Sequence, residues 1–251
     1  MIANMKSSNQ TEEIVTNQFS NQVELYSQHD EKVDSPVLPF LKKTLPKFKT
    51  GQSIKIGEFG GGGGDLLRAI NNLTKRTLTL HNIELVGAYK NHQADKSIKF
   101  VKQSLLDSDI ADNTYDIVIV RNVIHHLINP WHFQTRMNQS HAIHELVRVT
   151  KPGGYILIDE QVNNSKIACM LYFYLSWIAT KMKLNIPAFQ ITESTIVGYL
   201  QRQELQAIAS TVVPRKFWEA NTFFRWEPQL HWKLTGLMND TGSAFIAMKK
   251  P

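Results

Sequence analysis

Two adjacent histidines, His125 and His126, are the side chains in this 251-residue chain best suited to acid–base chemistry. They come shortly after the apolar run at 115–120, which predicts a buried strand. An imidazole titrates near neutral pH, so it can take a proton from a hydroxyl or an amine. Either histidine is therefore a candidate general base, and the alternative is that the pair only shapes the site.

A second candidate site surrounds five consecutive glycines at 60–64. The apolar stretch 54–59 before them predicts a buried strand with Glu58 near its end, and helical spacing resumes over 65–70. A strand, a glycine turn and a helix form the first half of a βαβ unit. In such units a ligand binds beyond the carboxyl end of the strand.

The spacing of the glycines restricts the kind of ligand. The dinucleotide fingerprint G-x-G-x-x-G fails at every start, and no Lys-Ser or Lys-Thr follows to complete a Walker loop. The pattern that fits is acid-x-G-x-G-x-G, formed by Glu58, Gly60, Gly62 and Gly64. A flexible glycine linker is the alternative, and the strand and helix on either side argue against it.

This pattern resembles the first motif of class I S-adenosylmethionine (SAM) dependent methyltransferases, in which the acid serves the methionine end of the cofactor. Two later segments extend the resemblance over about 54–160. The strand at 115–120 leads to an apolar-His-His-Leu ending, and Lys-Pro-Gly-Gly at 151–154 precedes an apolar strand closing on Asp159 and Glu160. Ubiquinone/menaquinone-type methyltransferases share both segments. The resemblance implies a Rossmann-like α/β fold.

Glu84 is the predicted ligand of the cofactor ribose. Residues 77–84 alternate with period two, which predicts a second strand that ends at this acid. A carboxylate offers two acceptor oxygens, which match the two ribose hydroxyls. A rival alignment ends the strand at 86–89 and puts Tyr89 in this place. The usual spacing of about 20 residues from the glycine turn favours Glu84.

The predicted adenine site departs from the family pattern. A third strand is expected over 98–105, and the resemblance implies a Gly-Asp near its end, with the Asp taking the adenine amino group. Gln103, Ser104 and Leu105 stand there instead. Ser104 or Gln103 could still hydrogen-bond the adenine, with less charge assistance.

The resemblance implies a set of cofactor-binding residues drawn from all of these segments. Tyr26 is included because a Tyr ahead of the core often covers the cofactor in this family, although an ordinary packing role is equally open. The predicted set is Tyr26, Glu58, Phe59, Gly60, Gly61, Gly62, Gly64, Glu84, Leu85, Gln103, Ser104, Leu105, Arg121 and Asn122.

Composition argues against a disulfide, a metal site, a nucleic-acid partner and a membrane-spanning helix. One cysteine, Cys169, rules out an intramolecular disulfide and suits a reducing compartment. His141 and His144 have no evident carboxylate or Cys companion, so no metal site is predicted. The net charge of +6 is scattered, so no nucleic-acid partner is expected. Without a signal peptide or a stretch of roughly 18 apolar residues, a soluble cytoplasmic protein is expected.

The predicted architecture is a doubly wound, seven-stranded, mostly parallel sheet with helices on both faces. We expect an N-terminal helical cap at 1–50, the SAM-binding core at 51–163, a helical lid insertion and a further helix at 164–205, and closing antiparallel strands at 206–251. The apolar helix at 167–184 is open to three interpretations: a core helix, a substrate lid, or a weak contact with a membrane surface.

The function expected from the resemblance is methyl transfer from SAM to a small acceptor, with S-adenosylhomocysteine (SAH) as product. The aromatic lid favours an apolar or aromatic acceptor, and an aromatic-rich connection between Trp218 and Trp232 could form a wall of the substrate site. Two alternatives stay open: a catalytically silent SAM-binding or regulatory protein, and an RNA or protein methyltransferase. The oligomeric state does not follow from the sequence.

Overall fold

The computed structural model describes residues 12–13, 15–17, 19–20, 23–26, 33–129, 131–181, 191–214 and 241–251. Residues 12–13, 15–17 and 19–20 are helical. The further elements in chain order are α1 (Val23–Tyr26), α2 (Val37–Thr44), β1 (Ile54–Phe59), α3 (Asp65–Asn72), β2 (Leu78–Glu84), β3 (Lys99–Lys102), β4 (Tyr115–Arg121), α4 (His132–Val149), β5 (Thr150–Asn163), α5 (Lys166–Lys181), α6 (Glu193–Gln201), β6 (Gln206–Pro214) and β7 (Thr241–Lys249).

The seven strands form one sheet in the order β3-β2-β1-β4-β5-β7-β6. Strands β1 to β5 pair in parallel, and β7 runs antiparallel to both of its neighbours, β5 and β6. The chain winds outward from β1 to β3 and then returns to β4 on the other side of β1. This topological switch point between β1 and β4 is where ligands bind in open α/β sheets. The predicted fold class is confirmed.

Strand β4 lies at the centre of two hydrophobic layers. Its residues Val118 and Val120 belong to the layer on one face, and Ile117 and Ile119 to the layer on the other. Helices α4 and α6 contribute to the first layer, and α2 and α3 to the second. A strand covered on both faces needs apolar residues at consecutive positions, which explains the unbroken run at 115–120.

The sequence predicts a helix over 141–149, but α4 begins nine residues earlier, at His132. The buried face of this first half carries polar side chains. Thr135 and Gln139 are fully buried. The Thr135 hydroxyl accepts from the Asn129 N–H at 2.8 Å, and the Gln139 amide donates to the carbonyl of Ile124 at 3.3 Å. Buried polar residues that are hydrogen-bonded leave no hydrophobic periodicity to detect.

Three other predicted boundaries differ from the structure. Strand β3 stops at Lys102, because the Ser104 hydroxyl accepts from the Leu106 N–H at 2.9 Å and turns the chain. The sequence of residues 150–154 predicts a turn, but these residues lie within β5, where the pairing register to β4 shifts. The sequence also predicts a helix over 192–205, capped at Thr192-Glu193 or at Ser194. In the structure the Thr192 hydroxyl caps α6 by accepting from the Thr195 N–H, and the helix ends at Gln201.

Helix α5 has one packed side and one exposed side. Cys169 and Phe173 are buried against Ile128, whereas Ile167 and Tyr174 are more than half exposed. Among the described residues, no helix is long and apolar enough to cross a membrane. The predicted aromatic connection around 218–232 lies outside the described residues.

Gly154, near the start of β5, provides a test of packing at the sheet. A Cβ at this position would lie 2.9 Å from the carbonyl oxygens of Asp116 and Lys151, which are backbone atoms with little room to move. We expect Gly154→Ala to lower the free energy of unfolding by about 1–3 kcal/mol, measured by urea denaturation. Gly198→Ala is the matched control. Gly198 lies inside α6 with no atom within 4 Å of its Cβ position, so this change should be stabilising. Equal effects of the two changes on the free energy of unfolding would contradict a steric clash at position 154.

Candidate functional site

A cavity of about 400 Å³ opens at the carboxyl ends of β1, β2, β3 and β4, beside the switch point of the sheet. This volume falls in the range of small-molecule sites, which measure about 300–1,000 Å³. Glycines 60–63 line it on one side, and His125 and His126 on another. The two histidine rings are buried, and their centroids lie 4.0 Å apart.

The glycine loop can exist only without side chains at two of its positions. A Cβ on Gly60 would lie 2.3 Å from Val123, and a Cβ on Gly61 would lie 2.5 Å from the Asn82 Oδ1. Gly60, Gly62 and Gly64 also have positive φ angles, of 68°, 52° and 77°. These two requirements explain four of the five glycines, because other residues adopt such angles at a cost in energy.

Strand β2 fixes the position of this loop through three hydrogen bonds. The N–H of Gly60 donates to the carbonyl of Ile83 at 2.7 Å. The Gly62 N–H donates to Glu84 Oε2 at 3.0 Å, and the Asn82 amide donates to the Gly62 carbonyl at 2.8 Å. Glu84 Oε1 accepts from the Val86 N–H at 2.8 Å. A carboxylate has about four acceptor positions, so Glu84 can bind further donors.

Sequence reasoning missed Asn82, although it carries a detectable signal. It is a fully buried polar residue two positions before Glu84, in a strand whose other buried side chains include Leu80 and Ile83. A buried amide must be hydrogen-bonded, so its presence in a core strand indicates a specific partner. Here that partner is the glycine loop.

Glu58 lies beneath the loop, beside Gly61. Its carboxyl group is buried, and burial raises its pKa from 4.5 to about 7. Two acceptors meet at this point: Glu58 Oε2 and Asn82 Oδ1 both lack a hydrogen-bond donor among the described residues. Orphaned buried acceptors are costly, so a proton on Glu58 would supply a donor at this point and stabilise the site.

His125 is held by a buried carboxylate at the end of β5. Its Nδ1 lies 2.5 Å from Oε1 of Glu160, which is fully buried. The same carboxylate accepts from the N–H groups of Ile124 at 2.7 Å and Gln161 at 2.9 Å. Because a carboxylate accepts, Nδ1 carries the proton, and Nε2 of a neutral ring is then an acceptor. From the sequence, Glu160 is recognisable only as the end of a motif.

The N-terminal helical residues cover the cavity from outside. Glu12, Val15 and Phe19 line it. The Glu12 carboxylate accepts a hydrogen bond from the Ser104 hydroxyl beyond β3, and the Phe19 ring stands edge-on to His126 at 5.1 Å between centroids. None of these three was predicted. Tyr26, the predicted cover, ends α1, and its side chain lies outside the described part of the structure.

Most of the predicted site residues meet in the cavity. Among the described side chains, two do not line it: Glu58 lies below the loop, and Gly64 is the N-cap of α3. Within the described ranges, no group of three or more His, Cys, Asp or Glu side chains is placed to hold a metal ion. The predicted residues that line the cavity are Phe59, Gly60, Gly61, Gly62, Glu84, Leu85, Gln103, Ser104, Leu105, Arg121, Asn122, His125 and His126.

Comparison with known proteins places this site in a family context. Residues 57–158 match the family model described as a methyltransferase domain. Curated protein sequences include no significant match.

Several solved structures share the fold at low sequence identity. The cyclase SpnF has a TM-score of 0.61 at 12% identity, covering 94% of this chain and 95% of that chain. Geranyl diphosphate C-methyltransferase from Streptomyces coelicolor A3(2), in complex with Mg²⁺, geranyl diphosphate and SAH, has a TM-score of 0.59 at 11% identity, covering 86% and 78%. A geranyl diphosphate methyltransferase in complex with SAM has a TM-score of 0.60 at 11% identity, covering 86% and 84%.

The family match and the sheet order agree with each other. Residues 57–158 match a methyltransferase domain, and the seven-stranded sheet has the Rossmann-like fold of methyltransferases.

Because the pKa of the buried Glu58 carboxyl differs between the folded and unfolded states, the free energy of unfolding depends on pH, and the direction of the change can be stated. The folded pKa, about 7, exceeds the unfolded value of 4.5, so the folded state retains a proton that the unfolded state loses between these values. The free energy of unfolding should therefore fall as pH rises from 4.5 to 7, by up to about 3 kcal/mol from this group. Below pH 4.5 its stabilising contribution is fully present.

We expect Glu58→Gln to flatten this pH profile, since the amide does not titrate and can donate to Asn82. The measurement is the urea midpoint of both proteins from pH 4.5 to 8, with Glu24→Gln, an exposed carboxyl on α1, as the control. If the wild-type profile runs parallel to that of Glu58→Gln, the pKa of Glu58 is the same in the folded and unfolded states, and the prediction is wrong.

Proposed function

We propose that this protein transfers a methyl group from SAM to a small, apolar or aromatic acceptor, with His125 as the group that receives the acceptor's proton. The observation that carries the proposal is that one cavity joins the glycine loop, the Glu84 carboxylate and the His125–Glu160 pair. This chemistry uses two protein groups. One is a carboxylate that accepts hydrogen bonds from the ribose diol, and the other is a base that takes the proton of the acceptor.

The residues present fit the cofactor. Glu84 keeps acceptor capacity for the ribose hydroxyls after binding Gly62 and Val86. The bare backbone of the loop allows close approach.

When bound, SAM supplies an activated methyl group on a sulfonium centre, so the protein contributes alignment, desolvation and removal of a proton. Glu160 fixes the orientation of the His125 ring and the proton on Nδ1. The proton of an acceptor hydroxyl or amine then passes to His125 Nε2, and Glu160 stabilises the resulting imidazolium. Burial of this pair keeps water away from the reacting atoms.

Two features support an apolar acceptor of small size. The cavity wall beside the histidines includes Phe19, Val123 and Leu127, which offer no charge to a polar substrate. Among the structures that share the fold, one is named for C-methylation of geranyl diphosphate, a small molecule. The distribution of basic residues gives no comparable support for an RNA acceptor.

Calorimetric titration with SAM and with SAH tests the cofactor assignment. We expect micromolar binding by the wild-type protein and a loss of at least about 100-fold in Glu84→Ala, because charged hydrogen bonds to two hydroxyls disappear and the Gly62 N–H loses its acceptor. Glu24→Ala, which removes an exposed carboxyl from α1, should bind as the wild type does. If Glu84→Ala keeps the wild-type affinity, Glu84 does not bind the cofactor.

Formation of SAH in the presence of a panel of apolar phenols, quinols and amines tests the proton acceptor. With an acceptor found, His125→Gln should lower kcat by about 100- to 10,000-fold with SAM affinity unchanged, whereas His126→Gln should have a smaller effect. A larger loss in His126→Gln would reassign the base. SAM binding without turnover of any acceptor would favour a non-methylating use of the fold, of which the cyclase SpnF is an example by name.

A further inference from the structure

The end of β3 lacks the carboxylate that the family resemblance leads one to expect near the adenine, yet a carboxylate is present there. It comes from a distant part of the chain: Glu12, on the N-terminal helical segment, accepts a hydrogen bond from Ser104, which is 92 positions away. Glu12 and Ser104 both line the cavity. Resting on the proposed function, we propose that Glu12 is the residue that recognises the adenine amino group of the cofactor.

The order of the strands places Glu12 at the correct end of the site. Along the sheet edge, β4 presents the histidines, β1 the glycine loop, β2 Glu84 and β3 Ser104. With the cofactor ribose held at β2 and methyl transfer near β4, the adenine ring of the cofactor extends toward β3. Glu12 meets the cavity at that end, through its contact with Ser104.

The chemistry of Glu12 matches an exocyclic amino group. An amino group is a donor, and a carboxylate is an acceptor-only group with about four positions, of which Ser104 occupies one. Ser104 itself could offer only a neutral hydroxyl, and its oxygen already accepts from the Leu106 N–H. A charge-assisted bond is about twice as strong as a neutral one, so Glu12 is the better acceptor of the two.

The surroundings of Glu12 fit the faces of a purine ring. Val15 on the same segment, and Leu105 and Leu106 after β3, line this part of the cavity with apolar surface. Leu105 and Leu106 are buried, and Glu12 itself is half-buried. A planar base bound between apolar side chains, with one carboxylate at its edge, is recognised by its amino group.

A simpler role for Glu12 is to hold the N-terminal segment against the core, and a pair of ligands separates the two roles. The probes are SAH and the SAH analogue in which the 6-amino group of the purine is replaced by hydrogen, both titrated calorimetrically. If Glu12 only holds the segment, Glu12→Ala weakens both ligands by the same factor. If Glu12 recognises the amino group, the preference for SAH is lost.

We expect the wild-type protein to bind SAH about 10- to 100-fold more tightly than the analogue, and Glu12→Ala to reduce this ratio to a few-fold. Glu13→Ala, which removes the exposed carboxyl of the next residue, should retain the wild-type ratio. An unchanged ratio in Glu12→Ala, with SAH still bound by the wild type, overturns the role of Glu12 and leaves the proposed function standing. No SAH binding by the wild type overturns both.

Discussion

The hydrogen bonding of β2 to the glycine loop is the constraint on which the rest of the site depends. A loop of five glycines has more conformational freedom than any other sequence of its length, and a binding site requires a single conformation. Ile83, Asn82 and Glu84 remove that freedom by binding the backbone of Gly60 and Gly62. Since β2 pairs with β1 in parallel register, the same sheet contacts that build the core also place these three residues beside the loop.

Glu160 and Glu58 are both buried carboxyl groups, and they differ in the number of hydrogen-bond donors that they receive. Glu160 receives several hydrogen-bond donors from the loop after β4 and from its own strand, so a charge on it is satisfied and it orders the histidine end of the cavity. Glu58 lacks a donor on Oε2 within the described structure, and burial raises its pKa. A satisfied carboxylate serves as a fixed, charged support, whereas an unsatisfied buried one favours its protonated form.

The sequence was sufficient for the core of the fold and for the residues that follow strands. Unbroken apolar runs, the glycine turn and the acids at strand ends each depend on local pattern. The strands β1, β2 and β4, and the position of Glu84 at the end of β2, agree with these predictions. The first half of α4 was missed because Thr135 and Gln139 are polar and buried, which inverts the usual pattern. Glu12 and Glu160 act on residues 92 and 35 positions away, and no periodicity encodes contacts between distant segments.

The position of β7 has a consequence for synthesis on the ribosome. This strand follows β6 in the chain but lies between β5 and β6, and it supplies their pairing partner on both sides. While residues 241–249 remain in the exit tunnel, β5 has an unpaired apolar edge, although the cofactor-binding half of the sheet, β1 to β4, has already emerged. The nascent chain can thus assemble its site before its sheet is complete. During that interval, a chaperone or early ligand binding would protect it from aggregation through the open edge.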